Sequence, residues 1–473
     1  MESAMPLTTR RSFLASSAAS LFAAPAKPRN VLFIASDDLN HSFSTYGQSI
    51  VPTPNLDRIA KAGVRFDRAY CQYPLCSPSR TSVLTGLAPD ATGVYNLTKH
   101  FRESVPDVVT LPQLFQRNGY FAGRVGKMYH YGNPGDIGTD GLDDKPSWNT
   151  RVNPKGIDKQ EEPLLTNHTP KRGVGSSLSF YASPARDEQH TDGMVANESI
   201  RLIEENRGRP WFLGAGFYRP HCPYIAPAKY FDMVPEDRVK LVPFEEWEMN
   251  IAPKWAYFTR PANWGLTPKQ RLEAMRAYYA SILFLDANVG RLLDGLERLG
   301  QTENTTIFFW SDHGYQLGEH GQWMKRTVFE PAARSPLLIA GAGVRARGKS
   351  CARTVEFLDL YPTAAALAGL QSPMPARPGV SLAPLLDNPG SAWDRPAVTQ
   401  VENQKVMGYS IRTERYRYSM WNNGSEGEEL YDYDKDPREL RNLATDSASA
   451  SRKAALKAKL TAIVEKRRHA TTP

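Results

Sequence analysis

Apolar residues along the chain fall into two patterns. A short continuous run occurs at "NVLFIASDD" (30–38), and "VRFDRAY" (64–70), "RPWFLGAGF" (209–217), "TTIFFWSDHG" (305–314) and "SPLLIAG" (335–341) also read as strands. Unbroken apolar runs of this length are what a strand shows when both of its faces are covered. Between them, apolar residues recur at helical spacing in "NLDRIAKAG" (55–63), "TDGMVANESIRLIEEN" (191–206), a long segment over 267–299 and "VEFLDLYPTAAALAGL" (355–370). "TLPQLFQRNGYFAGRVGK" (110–127) holds a helix, a Gly119 stop and a strand in succession. This alternation predicts an α/β fold, a large mostly parallel sheet sandwiched by helices. Beyond residue 386 the pattern changes. "AVTQVENQ", "GYSIRTERYRYSMW" and "EELYDYDKDP" alternate as antiparallel strands do, and a charged helix follows at 447–467. The expected organisation is a main domain over 27–385 and a small C-terminal α+β subdomain with an antiparallel sheet over 386–473. Two stretches, 131–190 and 219–265, lack periodicity, which in a compact domain marks functional or disordered loops. The second holds Tyr224, Trp247, Trp255, Tyr257 and Trp264, which could stack on sugar rings but more often pack the loop itself.

Ligands of open parallel sheets bind beyond the carboxyl ends of the strands. The conspicuous polar residues fall there repeatedly. Asp37 and Asp38 end the first strand, and Cys76 lies just past 64–70. Lys127 and His130 follow the strand near 120–126, Arg219 and His221 follow 209–217, and Asp312 and His313 end the strand near 305–311. Lys325 comes shortly after. A lone histidine at a strand end is usually satisfied within the fold. Five strand ends delivering acids, a thiol, histidines and cations to one edge are not explained that way.

Charge and cysteine content narrow the class. The net charge is +8, and Lys and Arg are dispersed along the chain rather than gathered into a nucleic-acid arm. An acidic substrate or a solvated basic surface accounts for it. The N-terminal "LTTRRSFLASSAASLFAAPA" pairs Arg10 with Arg11 ahead of a weakly apolar run and a small-residue cleavage site at Ala24-Pro25-Ala26. It resembles a twin-arginine export signal, with an ordinary signal peptide as the alternative, so residues 1–26 are set apart from the fold. No later run reaches the length of a membrane-spanning helix, and stable membrane insertion is not expected. The cysteines 71, 76, 222 and 351 offer two disulfides in an exported protein, but a chain of this size does not need them. No cysteine or histidine spacing suits zinc.

Three aspartates and a histidine (Asp37, Asp38, Asp312, His313) suggest a site for a hard cation, Ca²⁺ or Mg²⁺. Adjacent aspartates that merely cap a helix are the plain alternative. Arg80, Lys127 and Lys325 would surround an anion on that metal. Arg80 lies one helical turn after Cys76, on the same face, and a helix start beneath Cys76 adds positive potential. Together these groups describe a site for a sulfate or phosphate ester.

At these residues the chain is similar to a known family. "CSPSR" followed by "TSVLTG" resembles the signature of the type I sulfatases of the alkaline-phosphatase-like superfamily, and "SDDLN", "VGKMYH", "FYRPHCPY", "SDHGYQLGEHGQWMK" and "ELYDYDKDPRELRNLA" follow in the family's order. The resemblance runs over about 30–445, and within the family it is strongest to iduronate-2-sulfatases, through "KMYH", "RPHCP" and Asp312-His313. It implies that Cys76 is converted to 3-oxoalanine (Cα-formylglycine) by a formylglycine-generating enzyme. It implies one Ca²⁺ per chain, held by Asp37, Asp38, Asp312, His313 and residue 76. Arg80 and Lys127 would hold and polarise residue 76, His130 would act as the base that releases sulfate, and His221 and Lys325 would face the ester. A hydrated aldehyde carries two hydroxyls on one carbon. One attacks sulfur, and deprotonation of the other expels sulfate, a route closed to a serine.

The expected function is therefore sulfuric ester hydrolysis on sulfated saccharides, exo-acting by analogy with the subgroup. The expected location is the bacterial periplasm or outside the cell, reached through the twin-arginine export machinery. The rival readings are a choline-sulfatase-like enzyme, a phosphodiester or phosphonate monoester hydrolase, and a non-catalytic binder of sulfated glycans. Glu319 and His320 read as structural, and Cys71 and Cys222 as free buried thiols.

Overall fold

The structure, a computed structural model, describes residues 29–371 and 377–470. The signal expected at 1–26 lies outside the described residues. An eight-stranded sheet forms the centre. Its strands are β1 (Asn30–Asp37), β2 (Gly63–Tyr70), β3 (Phe121–Gly126), β4 (Thr150–Val152), β5 (Trp211–Pro220), β6 (Thr305–Ser311), β7 (Leu337–Gly341) and β8 (Lys349–Glu356). Across the sheet they run β8-β2-β7-β6-β1-β5-β3-β4. Only β7 is antiparallel to its neighbours. The other pairs are parallel.

Every residue of β1 is buried, and its side chains divide between two cores. Leu32 and Ile34 join the core on one face, with α1 (Pro54–Ala62), α4 (Thr191–Asn206) and the long α5 (Pro268–Arg298), once α2 (Cys76–Thr85) and α3 (Leu111–Arg117) are counted in chain order. Val31, Phe33 and Ala35 face the other core, with α2, α3 and α6 (Leu360–Leu367). Strict two-residue alternation along a strand covered on both sides produces this division.

One element was read wrongly. Residues 355–370 are not a single helix. Thr354 to Glu356 finish β8, a 3-10 turn covers Phe357–Asp359, and α6 begins at Leu360. β8 is an edge strand that opens on exposed Lys349, Ser350 and Ala352, with only Cys351 buried among them, so its polar edge hid it. The two aperiodic stretches also carry structure. Thr166–Asn167 and Ser179–Ser183 pair with each other, and the latter pairs with Tyr224–Pro227 to join both insertions. Of their aromatics, Tyr224 and Tyr257 are buried, whereas Trp247 is 54% exposed.

At the C-terminus β9 (Ala397–Asn403), β10 (Val406–Arg412), β11 (Tyr416–Trp421) and β12 (Glu428–Asp432) form an antiparallel sheet. Leu456, Leu460 and Val464 of α7 (Ala450–Arg468) pack in its core. β9 holds the approach to Cys76, because Thr399 Oγ1 donates to the Cys71 carbonyl at 2.7 Å and Gln400 N to the Gln72 carbonyl at 2.8 Å. Buried Arg467 of α7 makes a bidentate pair with Glu356 at 2.9 and 2.5 Å. Glu356 Oε1 also accepts from Val398 N at 2.7 Å, so one carboxylate ties α7 and β9 to the end of β8. Removing one partner of such a pair strands a buried charge. Arg467→Ala is expected to lower the unfolding free energy by roughly 3 kcal/mol in denaturant titrations. Arg345→Ala, at an 81% exposed side chain, should shift it by less than about 0.5 kcal/mol.

Candidate active site

The carboxyl ends of β1, β2, β3, β5 and β6 bring the expected residues into one cluster. Asp37 is the last residue of β1, and Asp38 turns the chain away with a left-handed φ of 66°, which aspartate tolerates better than most residues. Asp38 N donates to Asp312 Oδ1 at 3.2 Å, and the Tyr278 hydroxyl of α5 donates to the Asp38 carbonyl at 2.7 Å. The same hydroxyl accepts from Asn40 N at 2.9 Å, so Tyr278 clamps the turn from both sides. Cys76 is the first residue of α2, whose start has no side-chain cap and whose ten residues are all buried.

The Cys76 thiol sits among the acids and cations. Its Sγ lies 3.4 Å from Asp37 Oδ1, 3.5 Å from His313 Nε2 and 3.3 Å from Lys325 Nζ. Lys325 also meets the Asp38 carboxylate, and Lys127 Nζ meets Asp37 Oδ2 at 2.5 Å. Arg80 Nε donates to Asp312 Oδ2 at 2.9 Å, and its terminal nitrogens reach the carbonyls of Ser36 and Lys127. Neither Arg80 nor Lys127 bonds to the thiol. They neutralise Asp37 and Asp312, which flank it.

Two overlapping sets, Asp37, Asp38, Cys76, His221 and Asp37, Cys76, Asp312, His313, each place one ligand atom per residue within 4.8 Å of the others. His313 Nδ1 lies 2.9 Å from the Gly314 carbonyl, which fixes the proton there and turns the Nε2 lone pair toward Asp38 and Asp312. Asp38 Oδ2 is buried without a hydrogen-bond partner. Three carboxyl groups, a neutral imidazole and an orphaned oxygen fit a hard divalent cation. His221 enters this set as well, its Nε2 3.8 Å from Asp38 Oδ2.

The electrostatics agree with that donor set. Burial pushes the Asp37 carboxyl up, but Lys127, His221, Arg80 and Lys325 together hold it well below its ordinary range. Burial lifts Asp38 to about 7 against Lys325, with Asp37 and Asp312 adding to the rise, so this carboxyl lacks a sufficient counter-charge. Burial takes His313 down to about 4 and, with Lys127, His130 down to about 2, leaving both rings neutral near pH 7. Burial and then Asp37 raise the Cys76 thiol well above its usual value, despite Lys325 and Lys127. Residue 76 as cysteine is thus a protonated thiol and a poor nucleophile.

His130 stands beside the cluster, within electrostatic reach of Lys127, Asp37 and Arg80, whereas Arg219, Glu319 and His320 are peripheral. His130 Nδ1 is buried without a partner. Arg219 pairs with Asp158 at 3.2 Å and braces the loop rather than the cluster. Glu319 accepts from Leu317 N, and His320 stacks on Phe329, away from the thiol. All four cysteines are free and buried, and Cys71 does not pair with Cys76. Tyr278 and Asn133 were missed. Asn133 Nδ2 lies 3.1 Å from His221 Nδ1. Asn133, an asparagine in an aperiodic loop, carries no sequence signal; Tyr278 opens the helical stretch "YYASILFLDANVG", in which a buried tyrosine is ordinary.

Comparison with known proteins extends the geometry. The sulfatase family model matches residues 29–370, and one described as N-sulphoglucosamine sulphohydrolase, C-terminal, matches 318–466. A sulfatase of Formosa agariphila is 33% identical over 451 residues, covering 91% of this chain and 86% of that one. Human iduronate 2-sulfatase is 30% identical over 507 residues, covering 88% and 91%. A phosphonate monoester hydrolase structure from Agrobacterium radiobacter shares the fold with a TM-score of 0.77 at 23% identity, covering 93% and 96%. The chain belongs to the sulfatase family.

Proposed function

We propose that this sulfatase-family hydrolase removes sulfate from sulfated saccharides, as an iduronate-2-sulfatase-like, exo-acting enzyme. Residue 76 acts after conversion of Cys76 to Cα-formylglycine. The observation that carries this reading is the place of the Cys76 side chain, buried at an uncapped helix start between Asp37, His313 and Lys325. A nucleophile there faces the cations and the proposed metal together, while the thiol itself is held protonated.

When bound, a Ca²⁺ held by Asp37, Asp38, Asp312 and His313 would withdraw charge from the sulfate oxygens, and an aldehyde hydrate at residue 76 would offer two hydroxyls. The chain's own groups do the rest. Arg80, Lys127 and Lys325 offset the three carboxyl groups, so that with a divalent cation the site is positive and suits an anionic ester. The amides at the start of α2 add to that potential. Burial lowers Lys325, but Asp38, the Cys76 position and the other acids raise it well above its usual value, so it stays an ammonium that donates to the ester. The two partners of His221 Nδ1 favour opposite tautomers. The Cys222 carbonyl at 2.5 Å accepts a proton from Nδ1. The Asn133 amide donates to a bare Nδ1 and leaves the proton on Nε2, where it can follow the departing oxygen. Neutral His130 is available as the base that restores residue 76.

Export through the twin-arginine route, with residue 76 modified beforehand by a formylglycine-generating enzyme, completes the proposal. Its support is Arg10-Arg11 and the Ala24-Pro25-Ala26 site. No helix among the described residues is long and apolar enough to cross a membrane.

Protein from a host with the maturation enzyme should hydrolyse an aryl sulfate, and mass analysis of the residue-76 peptide should show H₂S replaced by O. Cys76→Ser should lower kcat by at least about 10⁴-fold, since serine lacks the second hydroxyl. A higher kcat/KM for an aryl phosphodiester than for the matching sulfate would replace the reading. Chelation should abolish turnover and Ca²⁺ restore it. Tyr278→Phe, which frees the Asp38 turn, should weaken Ca²⁺ binding by about 10-fold in calorimetric titration without removing a ligand.

A further inference from the structure

The peptide around Lys325 is strained. Met324 and Arg326 both take left-handed φ values, 69° and 73°, which non-glycine residues keep only where their surroundings hold them. Arg326 N donates to the Pro74 carbonyl at 3.1 Å, beside the approach to Cys76. Its guanidinium lies over the Phe258 ring at 4.3 Å. One terminal nitrogen reaches the Glu402 carbonyl at 3.4 Å, and Nε is buried without a partner.

A second guanidinium lies on the same aromatic segment. Arg172 sits 4.3 Å over Trp264, and its Nε donates to the Ser176 carbonyl at 2.6 Å. Asn263 and Trp264 are themselves left-handed, φ 51° and 50°, and Asn263 Oδ1 accepts from Trp323 Nε1 at 2.9 Å. The Arg172 turn rests against the catalytic residues. Gly175 touches the Asn133 backbone so closely that a Cβ would come within 2.0 Å of its carbonyl oxygen, and Asn133 contacts His221. Arg326 therefore follows Lys325 directly in the chain, and Arg172 lies within electrostatic reach of Arg326 and of Cys222, the residue after His221.

Neither arginine makes an ion pair among the described residues, and both are half-buried. Elsewhere the buried guanidiniums of Arg80, Arg124, Arg219, Arg412, Arg417 and Arg467 each meet a carboxylate. A guanidinium withdrawn from water without a counter-anion is poorly solvated, and an aromatic face offsets only part of that. Burial holds both arginines below their usual range; the charge of Arg326 adds to the effect at Arg172, while Tyr73 and the more distant Glu402 carboxylate only partly oppose it at Arg326. The fork of each matches a carboxylate or sulfate in two bonds.

We infer that Arg172 and Arg326 form an anion subsite beside the reacting sulfate, taking a second negative group, a carboxylate or another sulfate, of the same saccharide. The inference rests on the sulfatase reading above and narrows it: the substrate class is polyanionic, and an ester whose second group is cationic, such as the zwitterion choline sulfate, is disfavoured.

The test compares mature wild-type enzyme with Arg172→Gln, Arg326→Gln, the double variant and Arg326→Lys. The substrates are 4-nitrophenyl sulfate, choline sulfate, a 2-sulfated hexuronic acid and a hexosamine carrying two sulfates. Each Gln variant should lower the ratio of kcat/KM on the anionic sugars to that on the aryl sulfate by about tenfold or more, mainly through KM. Arg326→Lys should recover part of it. The hexuronic acid and the disulfated sugar separate a carboxylate partner from a sulfate one. An unaltered ratio, or wild-type turnover of choline sulfate equal to that of the anionic sugars, overturns the subsite. If wild type hydrolyses no sulfate ester, the sulfatase reading fails alone. Calorimetric binding of the disulfated sugar then decides the subsite, with equal affinity in wild type and double variant overturning it and about tenfold weaker binding in the variant supporting it.

Discussion

Three carboxyl groups and three cations share a volume with almost no water, and the surrounding structure depends on keeping them there together. Asp37, Asp38, Asp312, Arg80 and Lys127 are at most 1% exposed. An unpaired charge in such a place is strongly unfavourable, whereas paired and hydrogen-bonded charges are tolerated. Each cation therefore has an assigned acid: Lys127 for Asp37, Arg80 for Asp312, Lys325 for Asp38. The last pairing leaves one Asp38 oxygen without a hydrogen bond. Cations and acids balance in number, and the free Asp38 oxygen marks the point where a divalent cation would sit.

Rigid elements hold this arrangement from several directions. β1 and β6 are adjacent and parallel, so Asp37 and Asp312 emerge side by side. The buried helix α2 brings Arg80 beneath them and Cys76 to their edge. The long helix α5 reaches across one core to fix the Asp38 turn through Tyr278, which stacks at 5.1 Å on Tyr315. Behind the thiol, β9 hydrogen-bonds to Cys71 and Gln72, so the C-terminal sheet supports the nucleophile position without contributing a group to the cluster. Site geometry is better held by packed strands and helices than by loops; here Asp37, Cys76 and Arg80 lie within such elements, and Asp38, Lys127, Asp312 and His313 lie one or two residues beyond a strand end.

Much of this was legible in the order of residues. Apolar-rich runs identified the central strands because a strand covered on both faces buries most of its side chains. Acids at the ends of two such runs, with a C-x-P-x-R stretch after a third, marked the edge at which the cluster lies. Edge elements were harder to read. β8 opens on exposed Lys349, Ser350 and Ala352 and its last two residues were merged with the following helix, and Thr150–Val152 lay hidden in an aperiodic stretch. The difference is physical, since periodicity reports burial and an edge strand is only partly buried.

The sequence by itself determined which chemical groups are present, that parallel strands would deliver them to one edge, and that residue 76 stands at a helix start. Those follow from local burial patterns and fixed spacings. Tertiary structure alone decided who pairs with whom. Arg80 and Lys127 bind acids rather than the thiol, Tyr278 holds a turn more than two hundred positions away, and Arg172 and Arg326 lie over aromatic rings with no ion pair among the described residues. These contacts join residues far apart in the chain, and electrostatic partners are set by distance and burial, which no spacing along the chain encodes.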